Sequence, residues 1–347
     1  MSVEACVPGG EAALLRLLQH LASCHYRFIA PTPLTHQRVL ERRAQRLLTA
    51  PSSLSNQPTD VHDVLGWSLP FDASSLDPLL RGLLTDAKAM TAYGPGAPCR
   101  AQVRVASLGD DLFVHSAFPT VQADAVFFGP DTYRFARFIT HTIDTIHTIH
   151  TIHASQAIHA QPTNAPLRIL DIGCGTGAGG VAAVRASRRP AELTLNDINP
   201  KALAYAAANV AAAGITCQWL PGDAMVVVTG DYDVIIANPP YLDDAEQRAY
   251  RHGGDRLGLS LSLRMAATAL AHLAPGGQLL LYTGVAITGG HDPFLAELKV
   301  LMRGFDGTWH YSEIDADVFG EELEREVYAD IDRIAAVGLV VTRRGAV

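Results

Sequence analysis

Two short stretches of this chain combine residue types in ways that imply chemistry. The first is Ile169-Leu170-Asp171-Ile172-Gly173-Cys174-Gly175-Thr176-Gly177. An apolar run delivers an acid and then alternating glycines. Lacking a Cβ, glycine lets such a turn bend sharply and bring backbone N–H groups close to a ligand. If a helix starts there, its unpaired N–H groups face an anionic end such as a carboxylate. A Gly-rich turn alone would serve a dinucleotide equally well. Asp171 argues for something else, because a carboxylate before the first glycine holds a cationic amino group, which a pyrophosphate site does not need. Asp197 ends the next apolar run and can accept both hydroxyl protons of a ribose. Asp223, followed by Ala224, can accept from the amino group of an adenine. Each acid alone could be an ordinary cap. Three at successive run ends describe one ligand, an amino acid joined to ribose and adenine, which is the composition of S-adenosylmethionine.

The second stretch is Asn238-Pro239-Pro240-Tyr241. A conjugated nitrogen is a poor nucleophile because its lone pair is delocalised into the neighbouring carbonyl or ring. The Asn238 side-chain oxygen and the Pro239 carbonyl can accept its two N–H bonds and aim the lone pair. Consecutive prolines fix φ and hold those acceptors still. Tyr241 offers a flat face for a planar amide or base. Catalysis would then rest on positioning and preorganised dipoles, without a covalent enzyme intermediate. Asn238, Pro239, Pro240 and Tyr241 are the candidate catalytic residues. Asn238 also stands beside the expected cofactor, whose other candidate contacts are Asp171, Gly173, Cys174, Gly175, Thr176, Gly177, Asp197, Asp223 and Ala224.

These residues need a scaffold. From about residue 126 the pattern alternates strand and helix, which predicts an α/β fold with a mostly parallel sheet and helices on both faces. Strands are expected at 167–171, 192–196, 233–237, 278–282 and 334–342, and helices after Gly177 and at 200–213, 259–273 and 294–302. Residues 1–125 form a smaller unit, with helices expected at 12–21, 34–48 and 76–89. Strands at 102–106 and 112–116 flank a Gly109-Asp110-Asp111 turn and form a hairpin. Helices followed by a hairpin loosely resemble a winged-helix arrangement. The second unit, 126–347, carries a His-rich low-complexity insert at 141–160. There Thr-Ile-Asp and three Thr-Ile-His triplets repeat, read as expansion within a surface connection because a three-residue period suits neither helix nor strand.

The chain has 347 residues, 48% hydrophobic and 18% charged, with a formal net charge of -8. That balance disfavours indiscriminate attachment to nucleic acid or anionic membranes. The five cysteines are scattered, with no CxxC pair, so neither disulfide framework nor zinc site is expected. No apolar run approaches the roughly 20 residues that span a bilayer. A cytoplasmic enzyme without a metal is the expectation. Arg38, Arg42, Arg43 and Arg46 are expected to share one arc of a helix, opposite Leu40, Ala44, Leu47 and Leu48, where they could meet phosphates. The acidic stretch 313–332 reads as a solvated connection.

The Gly-rich turn, the acid at the second run and the Asn-Pro-Pro-Tyr clamp resemble class I methyltransferases of the small-domain type. Within that group they look most like the protein-(glutamine-N5) methyltransferases that modify release factors. The resemblance covers roughly residues 124–285. It includes Phe127-Phe128-Gly129-Pro130-Asp131-Thr132, similar to a segment that encloses cofactor and substrate, so it implies a cofactor contact for Phe127. Gly253-Gly254-Asp255-Arg256-Leu257 resembles a turn that follows the clamp. Two positions depart from the pattern, Gly129 where that family usually has Arg and Tyr133 where it has Glu. The resemblance implies a Rossmann-like seven-stranded sheet, S-adenosylmethionine as cofactor and a macromolecular substrate. That substrate is a protein such as a translation factor or, alternatively, RNA or DNA methylated on adenine or guanine. It fixes no oligomeric state.

Overall fold

A computed structural model of the chain describes residues 10–49, 60–92, 97–156 and 165–345; at 47–49 and 144–156 only the backbone is described. The first unit opens with α1 (Gly10–Ser23), whose Leu14, Leu17, Leu18 and Leu21 form one buried stripe. Then come α2 (Pro33–Thr49), α3 (Val61–Leu65), α4 (Pro78–Asp86), β1 (Met90–Ala92), β2 (Cys99–Ala101), β3 (Val103–Leu108) and β4 (Asp111–Ser116). Asp77 caps α4 by accepting from the N–H groups of Leu79 and Leu80, with Pro78 in the first turn. The β3–β4 hairpin is present as expected, but it is no wing. Its strands are almost wholly buried, with β4 lying against α1 and α7 (Pro200–Ala212). Helix α3 and the short β1–β2 pairing carry no periodic signal of their own and are added by the structure.

The arginine arc of α2 is corrected too. Among the described side chains of that helix His36 is the buried one and Ala44 is exposed, while Leu47 and Leu48 lie outside the described side chains. Arg43 turns inward, bonding Asp63 at 2.5 Å with its guanidinium over the Trp67 ring. Arg38 and Arg42 stay exposed. Beneath this helix Arg104 and His115 face each other across the hairpin. Burial pushes His36 down to about 4 and His115 well below its usual range, with the Arg104 cation adding to both.

The connection to the second unit holds the largest correction. Residues 130–156 form one helix, α5 (Pro130–Gln156), so the triplets continue a helix instead of interrupting the fold. Phe135, Ile139 and Ile143 recur every fourth residue and are all buried. That anchored stripe nucleates the helix, after which each added residue costs little despite the β-branched side chains. Thr140 and Thr142 donate back to the carbonyls of Ala136 and Phe138.

Beyond it lie β5 (Leu167–Ile172), α6 (Ala178–Ala186), β6 (Ala191–Asp197), the helix α7, and β7 (Cys217–Pro221). They are followed by α8 (Ala224–Val227), β8 (Tyr232–Ala237), α9 (Leu259–Ala271), β9 (Leu273–Ile287), α10 (Pro293–Leu301), β10 (Gly307–Asp315) and β11 (Arg333–Arg343). The seven strands lie in the order β10-β11-β9-β8-β5-β6-β7. The run from β9 to β7 is parallel, while β11 and β10 are antiparallel additions. This is the Rossmann-like α/β sheet expected. Strand β10 was missed because it is mostly exposed and carries no continuous apolar run. From β5 the chain steps outward to β6 and β7, then returns to β8 on the other side. That reversal opens a crevice at the carboxyl ends of β5 and β8.

Candidate functional site

Register decides what meets in that crevice. Ile172 pairs with Ala237, so Gly173 and Asn238 leave adjacent strands side by side. Gly173, Gly175 and Gly177 adopt φ of +67°, +53° and +77°, a region that side chains with a Cβ rarely enter. The turn leads into α6, whose cap residue Gly177 provides no side-chain acceptor. The first N–H groups of that helix, apart from those bonded within the protein, are therefore open to an anionic group.

Asp171 sits beneath the turn, 1% exposed, and accepts from the Gly180 N–H at 2.8 Å. Burial pushes its carboxyl up to about 8; the Gly180 bond opposes this and the nearby Asp197 charge reinforces it. A buried acid without a cation is what the amino group of an amino-acid ligand would neutralise. Asp197 braces the same turn, accepting from Gly175 N–H at 2.9 Å with one oxygen and from Asn199 N–H at 2.8 Å with the other. Its burial also raises its pKa. A carboxylate has about four lone-pair sites, so Asp197 keeps capacity to accept from a further hydroxyl. Asp223 caps α8 by accepting from Met225 N–H at 3.0 Å with one oxygen, and the residue lines the cavity.

One cavity of about 340 Å³ is lined by Phe127, Asp171, Gly173, Cys174, Gly175, Thr176, Asp197, Asp223, Ala224 and the four residues Asn238, Pro239, Pro240 and Tyr241. Of the sequence-based candidates only Gly177 lies outside its lining; it turns toward Val210 and Ala206 of α7. Asn238 is half-buried, and among the described residues nothing hydrogen-bonds its carboxamide. Tyr241 departs from expectation. Its ring lies against Gly284 of β9, where an added Cβ would fall 2.2 Å from it, and the residue is only 7% exposed. It is a wall of the cavity more than an open platform. Its hydroxyl donates to Asp131.

Other cavity residues were not foreseen. Ile198 is 66% exposed yet lines the cavity directly after Asp197. An exposed large aliphatic directly after a buried acid at a strand end is a usable signal for an apolar surface that could lie under a planar ring. Phe319 reaches the cavity from the stretch read as a solvated connection and meets the Tyr241 ring edge-on at 6.0 Å. That stretch is packed down. Tyr328 is 1% exposed and its hydroxyl accepts from Asp243 N–H at 2.7 Å, while the buried Glu322 pairs with Arg251 and Arg325. Phe127 stacks on Tyr250 at 6.0 Å. Gly129, one of the two departures, is explained by the same ring: a Cβ there would fall 2.5 Å from Phe127. Tyr133, the other, accepts from Ala30 N–H at 3.0 Å and ties α5 to the first unit. No helix among the described residues is long and apolar enough to cross a membrane.

Residues 154–288 match the family model of the methyltransferase small domain. The match begins near the end of α5 and closes at the end of β9, so it holds the Gly-rich turn and the clamp but not the segment around Phe127. The chain is similar to a release factor glutamine methyltransferase of Deinococcus radiodurans, 36% identical over 124 residues, 33% of this chain and 44% of the relative. It is similar also to a release factor glutamine methyltransferase of Cereibacter sphaeroides, 37% identical over 134 residues, 34% of this chain and 47% of the relative. A third relative is a ribosomal RNA small subunit methyltransferase C of Enterobacter sp., 34% identical over 113 residues, 32% of this chain and 30% of the relative. The chain thus spans less than half the length of these curated relatives.

Proposed function

We propose that this chain is an S-adenosylmethionine-dependent N-methyltransferase acting on a planar amide or amino nitrogen, with a protein glutamine side chain as the leading acceptor. The observation that carries the reading is the shared mouth of β5 and β8, where the Gly-rich turn and Asn238-Pro239-Pro240-Tyr241 open on one cavity. The residues fit the cofactor. Asp171 is a buried acid with no cation paired to it among the described residues, Asp197 has accepting capacity to spare, Ile198 supplies an apolar face, and α6 begins without a side-chain cap. When bound, the cofactor supplies an electrophilic methyl on a sulfonium.

The chain's own residues do the rest. The Asn238 carboxamide oxygen and the Pro239 carbonyl accept the two N–H groups of the acceptor nitrogen and direct its lone pair into the cavity. Tyr241, Phe319 and Phe127 wall the cavity and exclude water, which strengthens those dipoles. The proton released from nitrogen passes to solvent.

Glutamine is preferred because the clamp and the segment 127–132 jointly resemble enzymes of that substrate class, and two relatives carry that name. The competing reading is methylation of adenine or guanine in RNA or DNA. It draws on the relative named for ribosomal RNA, and a flipped base presents a similar planar edge. Incubating the protein with cell extract and cofactor labelled on the methyl, then treating with protease or nuclease, separates the two. Label lost with protease supports glutamine; label that survives protease and vanishes with nuclease overturns it.

A further inference from the structure

The first turn of α5 contains a carboxylate in an unusual setting. Asp131 is 5% exposed, although an acid placed there only to favour the helix N-terminus would work as well in solvent. Its carboxylate gathers three donors, one from its own helix, one from β9 and one from the segment after β8. Tyr282, wholly buried in the middle of β9, donates to one oxygen at 3.0 Å, and Arg134 donates to the same oxygen at 3.2 Å while also pairing with Asp315 of β10. Tyr241, in the segment that follows β8, donates to the other oxygen. Of the two phenols only Tyr241 lines the cavity, as does Asp131 itself.

The tyrosine needs such an anchor. One face of its ring rests on Gly284, where β9 offers bare backbone and no side chain to stop the ring sliding. Phe319 touches only its edge. The hydroxyl bond is what fixes the far end of the ring. Pro240 and Pro239 precede Tyr241 directly, and their fixed φ angles make the segment stiff, so a shift of the ring is passed to the Pro239 carbonyl and to Asn238.

We propose that Asp131 is a positioning residue for the acceptor clamp, holding Tyr241 so that the Asn238 and Pro239 acceptors stay aimed at the site of transfer. It rests on the reading of the site given above and deepens it. Burial pushes the carboxyl up to about 6, against the lowering pull of Tyr282 and Arg134 and with a further push from Asp315.

The test uses the full chain as wild type, Asp131→Ala, Tyr241→Phe and the double variant. Each is assayed at saturating labelled S-adenosylmethionine on whichever extract fraction the wild type labels. Cofactor Kd is measured separately by calorimetry. Each single variant is expected to lower the transfer rate by about 10-fold or more, the scale of a misplaced reacting group, with cofactor Kd within about 3-fold of wild type. Because both remove the same bond, the double variant is expected to be no slower than the slower single one. Rate losses that multiply overturn the proposal, as does a wild-type rate in Tyr241→Phe, a substitution that keeps the ring and tests the bond even if Asp131→Ala fails to fold. A wild type that transfers no label overturns the reading of the site and this proposal together; a wild type that transfers while the bond proves irrelevant overturns this proposal alone.

Discussion

At the residue scale two groups carry the argument, Asn238 and Asp171. Replacing Asn238 with Ala removes one of two acceptors without touching the Gly-rich turn. Turnover is expected to fall by about 100-fold or more, as when a preorganised hydrogen-bond partner is lost, while cofactor affinity stays within a few-fold. Wild-type turnover in Asn238→Ala would dispose of the proposed clamp. Asp171, pushed up to about 8 from 3.8, carries a proton in the ligand-free protein at neutral pH. A cationic ligand favours the ionised form, so binding releases that proton, and affinity rises as pH goes from 6 to 7.5, by at most about 10-fold per unit. The sign for stability is opposite. The unfolded chain ionises this acid first, so its contribution to the ligand-free fold is present below about 4 and lost as pH climbs toward 8. Calorimetry in two buffers of different ionisation enthalpy measures the released proton; finding none, or an affinity unchanged by Asp171→Asn, would contradict the assigned role.

At the element scale the hairpin of the first unit is tied to the Gly-rich turn. Asn209 of α7 makes the tie. Wholly buried in an Ala-rich helix, it accepts from Val114 N–H at 2.7 Å and donates to the carbonyls of Val114 and Thr176 at 3.1 Å and 3.0 Å. One carboxamide thus joins β4 to the Gly-rich turn. Asn209→Leu keeps the approximate volume and strands those backbone groups, each at about 1–3 kcal/mol. A loss of about 3 kcal/mol or more is expected in urea unfolding, together with weaker cofactor binding; a loss under about 1 kcal/mol would show that the joint does little. Nothing in the spacing around residue 209 announces this, because an Asn among alanines looks like a surface position until its partners arrive from elements far away in the chain.

At the scale of the whole molecule, the buried apolar cluster is continuous from α1 and the β3–β4 hairpin through α5 to β5 and β6. The units separated at residue 125 in the sequence are thereby expected to unfold together. Trp67 reports on the first unit and Trp219 and Trp309 on the sheet. Single-tryptophan variants should show coincident transitions, shifted upward in common by S-adenosylmethionine, by about 2.7 kcal/mol at a hundred times its Kd. Two separated transitions, with only one responding to the cofactor, would mean that the interface contributes little to the fold.

The elements of the sheet and the turn at its centre were legible because they are local. Apolar runs of strand length, the Pro200 that opens α7 behind its Asn199 cap, and the Asp171–Gly177 turn are written in neighbouring residues. The partnership of β5 with β8, which places Gly173 beside Asn238, follows from that alternation only once the sheet reverses direction. What lay beyond reading was set by distant contacts. The triplets join α5 because Phe135, Ile139 and Ile143 find a surface to bury against, a force that outweighs the local preference of Thr and Ile. Phe319 and Asp131 become part of the site because packing brings them to Tyr241 from opposite ends of the domain. Local rules name what a segment prefers; burial against the rest of the chain decides which preferences survive and which side chains meet.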